Sequence, residues 1–146
     1  MSKIAVRYRK EFPASVDDAS FLLSTKGSSL RNALDQWFDE RKIRPKLVGE
    51  FKDSALTKTF GQAGAGIFAA PSAIEKEVRE HYKVGVVGLV NSITERFYAI
   101  SVERKLKQPA VVAIREAARD HLFVWATNIV LGLYIGLSDV SAPKHL

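Results

Sequence analysis

The sequence predicts an α/β fold in which short buried strands alternate with amphipathic helices about a parallel or mixed sheet. Three features predict it. Apolar runs of strand length stand at residues 21–23, 67–70 and 84–90, set between polar residues, Gly and Pro. Between them, apolar residues recur every three or four positions, the spacing of a helix that buries one face. Ser and Asp, whose side chains cap helices, stand where those segments begin.

In chain order, residues 4–12 read as a weak helix, with Ile4, Val6 and Tyr8 among basic residues and Pro13 ending it. Residues 15–20 read as a polar loop and 21–23 as a brief strand. The polar loop 24–29 leads to a helix capped by Ser28, in which Leu30, Ala33, Leu34, Trp37 and Phe38 form a core-facing stripe. Arg41, Lys42 and Arg44 suit the negative end of its dipole. Residues 46–51 alternate around Leu47, Gly49 and Phe51 after Pro45, as a strand entered from a turn does. Asp53 or Ser54 opens a helix that Gly61 closes, since glycine tolerates the left-handed conformation of a helix end. Residues 67–70 read as a buried strand between Gly66 and Pro71. Ser72 and Glu75 form a capping box, and Ile74, Val78 and Tyr82 make one face of the next helix. Residues 84–90 read as a buried strand, and 97–102 as another with a charged exit at 103–107. Pro109 suits the first turn of a last helix striped by Val111, Ile114, Ala118 and Leu122 and widened by Ala117.

At 146 residues the chain is one domain or part of a larger one. Its net charge of +6 is spread along the chain without a basic, aromatic-rich run, so it argues only weakly for nucleic-acid contact. Without cysteine there are no disulfides and no thiolate metal sites. The N-terminus lacks the apolar core of a signal peptide, and a cytoplasmic protein is expected. The apolar run at 123–137 holds Asn128 and two glycines and falls short of the roughly 20 residues that cross a bilayer. A tail packed on apolar surface, a poorly ordered tail and membrane association are its three readings, and no membrane partner is expected.

Gly61, Gly64 and Gly66 do not make a nucleotide site. A dinucleotide fingerprint sets its glycines between a strand and a helix start; these follow a helix and precede a strand. They read as a helix cap and a tight turn, with close approach to a ligand as the alternative. His81, His121 and His145 lack metal-ligand neighbours at helical spacing, and no nucleophile elbow or paired-carboxylate motif is present. No enzyme activity, metal or cofactor is expected.

The phrases FLLSTKGSSLRNALDQWF, PKLVGEFKDSALTKTFGQAGAGIFAAPSAI and ERFYAISVERKLKQPAVVAIREAAR, in that order, resemble the effector-binding domain of LysR-type transcriptional regulators. The resemblance covers residues 4–122. It implies a type II periplasmic-binding-protein-like fold, with two α/β lobes, a ligand cleft between them and two crossing strands. The chain looks like the second lobe, a three-layer α/β/α arrangement with a mixed sheet, plus the return strand and last helix of the first, and so incomplete. A partial effector-binding domain is expected at 1–122 and a divergent apolar tail at 123–146. The implied function is effector sensing and oligomerisation. The alternatives are a truncated regulator without independent activity and a small-ligand-binding α/β module. Effector domains of the family pair antiparallel, which implies a homo-oligomer or a mixed oligomer with an intact regulator. DNA contact is expected only indirectly, through a helix-turn-helix that these residues lack.

In open α/β sheets, ligands bind beyond the carboxyl ends of the strands, against helix N-termini. Two loops qualify. The first brings Thr25, Ser28 and Ser29; the second brings Phe68, Pro71 and Ser72, with Gly66 just before it. The resemblance places both at the cleft, while Ser28 and Ser72 also read as simple helix caps. The effector is a small molecule or an ion. GQAGAGIFAAPSAI and VERKLKQPAVVAI look most like members that respond to sodium and pH. A hard cation needs oxygen ligands, for which Glu50, Asp53 and Glu95 are candidates, though solvated or capping roles are ordinary for each. A helix N-terminus disfavours a cation.

Overall fold

A computed structural model of the chain describes residues 3–95, 109–118 and 129–137. Helices α1 (Lys3–Lys10), α2 (Ser29–Arg41), α3 (Ser54–Gln62), α4 (Glu75–Tyr82) and α5 (Pro109–Ala118) accompany strands β1 (Ser20–Ser24), β2 (Lys46–Phe51), β3 (Phe68–Pro71), β4 (Val84–Glu95) and β5 (Ile129–Gly136). Short 3-10 turns occupy Ala14–Val16 and Ser72–Ile74.

The sheet is mixed. β1 runs parallel to β2. On its other edge, Leu22 N–H donates to Ile67 O and Ile67 N–H to Ser20 O, both at 2.8 Å, an isolated parallel bridge that lays Ile67, just before β3, alongside β1. β5 pairs antiparallel with β3 on one side and β4 on the other. β2-β1 is thus a two-stranded sheet and β3-β5-β4 a three-stranded one, and the bridge between Phe21 and Ile67 sets them side by side.

Strand side chains alternate between two cores, one on each face. Phe21, Leu23, Val87, Leu131 and Leu133 join Leu34, Trp37 and Phe38 of α2 and Ala5 of α1. Leu22, Phe68, Ala70, Val84, Val86 and Tyr134 join Val78 of α4. The expected three-layer α/β/α arrangement with a mixed sheet is what forms.

Several local expectations need correction. Gly61 does not close α3; it is buried within the helix, where a Cβ would lie 2.2 Å from Phe68 Cδ1. The helix runs to Gln62, and Gly64, at φ +82°, takes the left-handed turn. The capping box also fails. Ser72 starts the 3-10 turn, and α4 begins after Ile74 without a side-chain cap. The loop at 15–20 is not wholly polar, since Val16 is fully buried in a 3-10 turn. β2 is an edge strand with a bulge between its pairings to Phe21 and Leu22, and it leaves Leu47 and Val48 exposed. β4 continues past Val90 to Glu95. Residues 129–136 of the apolar run form β5 and enter the sheet itself. The expectations for 97–102, 103–107 and Leu122 lie outside the described residues. Among the described residues, no helix is long and apolar enough to cross a membrane.

Candidate functional site

β1 is parallel to β2 and, through the bridge at Phe21, to Ile67 just before β3, so the carboxyl ends of these strands lie at one end of the sheets. The loop after β1 is tied there by Thr25 N–H, which donates to Phe51 O at 3.1 Å, and by Ser28 N–H, which donates to Thr25 O at 3.3 Å. Gly27, at φ +90°, makes the turn between them, a conformation that costs glycine little. Ser28 is the cap of α2, as its sequence position predicts. Its Oγ accepts from Arg31 N–H at 3.2 Å and lies 3.0 Å from Ser24 Oγ. The first bond closing the helix runs from Asn32 N–H to Ser28 O, so the N–H groups of Ser29 and Leu30 precede the ladder. Two hydroxyls and two helix-terminal N–H groups thus stand together. Thr25 is half-buried and Ser29 exposed.

Arg31 braces this corner, and sequence reading missed it. Its guanidinium donates to Ser24 O at 2.9 Å, Glu50 Oε2 at 3.1 Å and Asp35 Oδ1 at 3.0 Å. One buried side chain therefore joins β1, β2 and α2. Burial alone would lower its pKa, but hydrogen bonds and charge from Asp35 and Glu50 hold it above the ordinary value. A signal was available: a cation in the first turn of a helix runs against the dipole and needs a partner, and Asp35 stands four residues on.

The second loop is less coherent. Pro71 ends β3 opposite Leu131, and Ser72 is half-buried beside it. Ser72 lines a hollow of about 580 Å³ with Glu75, Arg79, Val84 and Leu137, and none of Thr25, Ser28 or Ser29 lines it. Phe68 is fully buried, its ring stacked on Tyr134 at 5.7 Å. Gly66 lies at the opposite end of the strands, where a Cβ would meet Ser20 O at 2.9 Å. The structure thus brings Thr25, Ser28 and Ser29 together and sets Gly66 and Phe68 apart from them.

Of the candidate carboxylates, Glu50 is engaged by Arg31, Asp53 caps α3 through Ala55 N–H at 2.7 Å, and Glu95 ends β4. Among the described residues, no group of three His, Cys, Asp or Glu side chains is placed to hold a metal ion. His81 is exposed, edge-on to Tyr82. The hydroxyl of Tyr134 is buried without a hydrogen-bond partner. Burial first, then the charge of Glu75, pushes its pKa up to about 12, against a smaller opposing effect of Arg79.

Residues 6–123 match the LysR substrate binding domain family. The chain belongs to that family. Over 114 residues this LysR domain is 32% identical to the transcriptional activator protein NhaR of Escherichia coli K12, and equally to NhaR of Shigella flexneri. The alignment covers 78% of the chain and 38% of each relative, so the chain spans well under half of their length. No solved structure matches. The two relatives are named as transcriptional activators, not enzymes. β5 lies beyond the residues that match the LysR family.

Proposed function

We propose that the chain is the effector-sensing and oligomerisation portion of a LysR-type transcriptional regulator, NhaR-like in its response to sodium and pH. The observation that supports this reading is the Ser24–Ser28 hydroxyl pair at the start of α2, fixed by Arg31 at the carboxyl ends of β1 and β2. Thr25, Ser28 and Ser29 are the ligand contacts of this reading, with Pro71 and Ser72 on the neighbouring loop. Sodium needs oxygen ligands away from this corner, because Arg31 already holds Glu50 and the start of α2 disfavours a cation. A small carboxylate would draw on the same hydroxyls and on the N–H groups of Ser29 and Leu30, where the helix dipole favours negative charge. DNA contact in this reading passes through a helix-turn-helix outside these residues, and the place of action is the cytoplasm. Self-association, or assembly with an intact regulator, would use Leu47 and Val48 on β2 and Leu56 and Phe60 on α3, all about half exposed.

Thermal-shift titration at constant ionic strength tests it, with sodium against potassium, pH steps, and a series of small carboxylates. An effector at 100 times its Kd adds roughly 2.7 kcal/mol of stability to the wild type. Ser28→Ala abolishes that gain. A panel that moves neither protein would remove the support for this site. Light scattering tests assembly, and a clean monomer at micromolar concentration rejects it.

A further inference from the structure

β3 and β4 both lie within the residues that match the family, yet they do not pair with one another. The strand between them, β5, starts at Ile129, beyond that match. An interior position of the sheet is filled by a segment outside the family likeness. We propose that the space between β3 and β4 is a strand-acceptor site, and that β5 is its ligand, carried on the same chain. The ligand class is an extended apolar peptide with glycine at a fixed position.

The main chain supplies the affinity. β5 is laddered to β3 from Phe68↔Tyr134 to Pro71↔Leu131, and to β4 from Val84↔Gly136 to Glu95↔Ile129. Both ladders are antiparallel, the arrangement of an added strand bonded on two edges instead of one. Irregularity falls on the acceptor. β4 carries the extra residues between Val86 and Gly88 and between Val90 and Thr94, while β5 advances one residue at a time. β3 and β5 run in unbroken register. Without β5, two sheet edges would stand open in the middle of the molecule.

Side chains supply the selectivity. Leu131 and Leu133 are fully buried on one face and Tyr134 on the other, so both cores depend on the strand. Gly136 is the strict position. A Cβ there would lie 2.5 Å from Gly61 O and 2.9 Å from Gln62 O, backbone atoms of α3 that cannot swing aside. Leu137 N–H then donates to Lys83 O at 3.1 Å, fixing the end of the strand beside the start of β4. A strand held by two ladders, two cores and one backbone contact does not need its covalent link to stay bound.

The test uses the full chain with a protease site inserted within residues 119–128. After cleavage without denaturant, the C-terminal fragment stays with the rest through gel filtration. A labelled synthetic peptide of residues 129–137 exchanges into the cleaved protein, and the same peptide with Gly136→Val does not. Release of the fragment on cleavage overturns the proposal, whatever the remainder then does. Equal exchange of the two peptides overturns the selectivity argued from α3.

Discussion

Replacing Tyr134 by Phe should stabilise the protein. The ring is fully buried and stacked on Phe68 at 5.7 Å, so the phenyl group keeps the packing. The hydroxyl has no hydrogen-bond partner, so none is lost. Leaving a buried polar group unsatisfied costs about 1–3 kcal/mol. The space vacated by one oxygen returns part of that, which leaves a gain of about 1 kcal/mol, or roughly 2–8 °C in Tm for a chain of this size. A second readout depends on pH. The native hydroxyl titrates near 12, above the ordinary value of 10.0, so the folded state holds its proton longer than the unfolded state. The native contribution is intact below pH 10, falls as pH rises toward 12, and is constant above that. Tyr134→Phe removes this loss, so its advantage over the wild type should widen across that window. Calorimetry at pH 7 and at steps from 9.5 to 11.5 measures both. A variant that melts below the wild type at pH 7, with no widening at high pH, would show that the hydroxyl has a partner after all.

Other substitutions separate cap from core. Gly61→Ala presses a Cβ into a Phe68 ring that has nowhere to move, and should cost about 1–3 kcal/mol in urea denaturation, the usual scale for overpacking. Ser28→Ala removes a working cap and should cost about 1 kcal/mol, while Ser72→Ala, which caps nothing, should stay within about 0.5 kcal/mol. Equal losses for the two serines would contradict the cap assignment. Arg31→Met breaks charge-assisted bonds to Ser24 O, Asp35 and Glu50 and should cost about 1.5–3 kcal/mol, with faster amide exchange at Thr25 and Ser28. Unchanged exchange there would mean the loop does not rely on the guanidinium.

Much of the fold is legible because its signals are local. Ser28, the stripe from Leu30 to Phe38 and the polar loop before them specify α2 without help from elsewhere. What failed depended on distant contacts. Nothing near Gly61 says that Phe68 will press on it, so the first glycine after a helical stripe looks like the cap when Gly64 turns the chain. The S-x-x-E pattern at Ser72 is present, but a 3-10 turn delays the helix past the serine. β5 is buried on both faces, and such a strand has no alternation to distinguish it from any other apolar run. The alternation of β2 was visible, but its place at the edge of the sheet was not. At the site, the serines stood out by position, whereas Arg31 matters through Glu50, nineteen residues away. Family resemblance carried the rest, over residues 4–122, and the family match itself ends at residue 123.

Amide NMR shifts during effector titration test the account most directly. Ligands of both charge classes, sodium salts and small carboxylates, would be added to the uniformly labelled chain at constant ionic strength and pH. The account predicts saturable shifts centred on Thr25, Ser28, Ser29 and Leu30, with weaker ones at Ser72. Saturable shifts confined to another part of the chain, or none with any ligand, would contradict it.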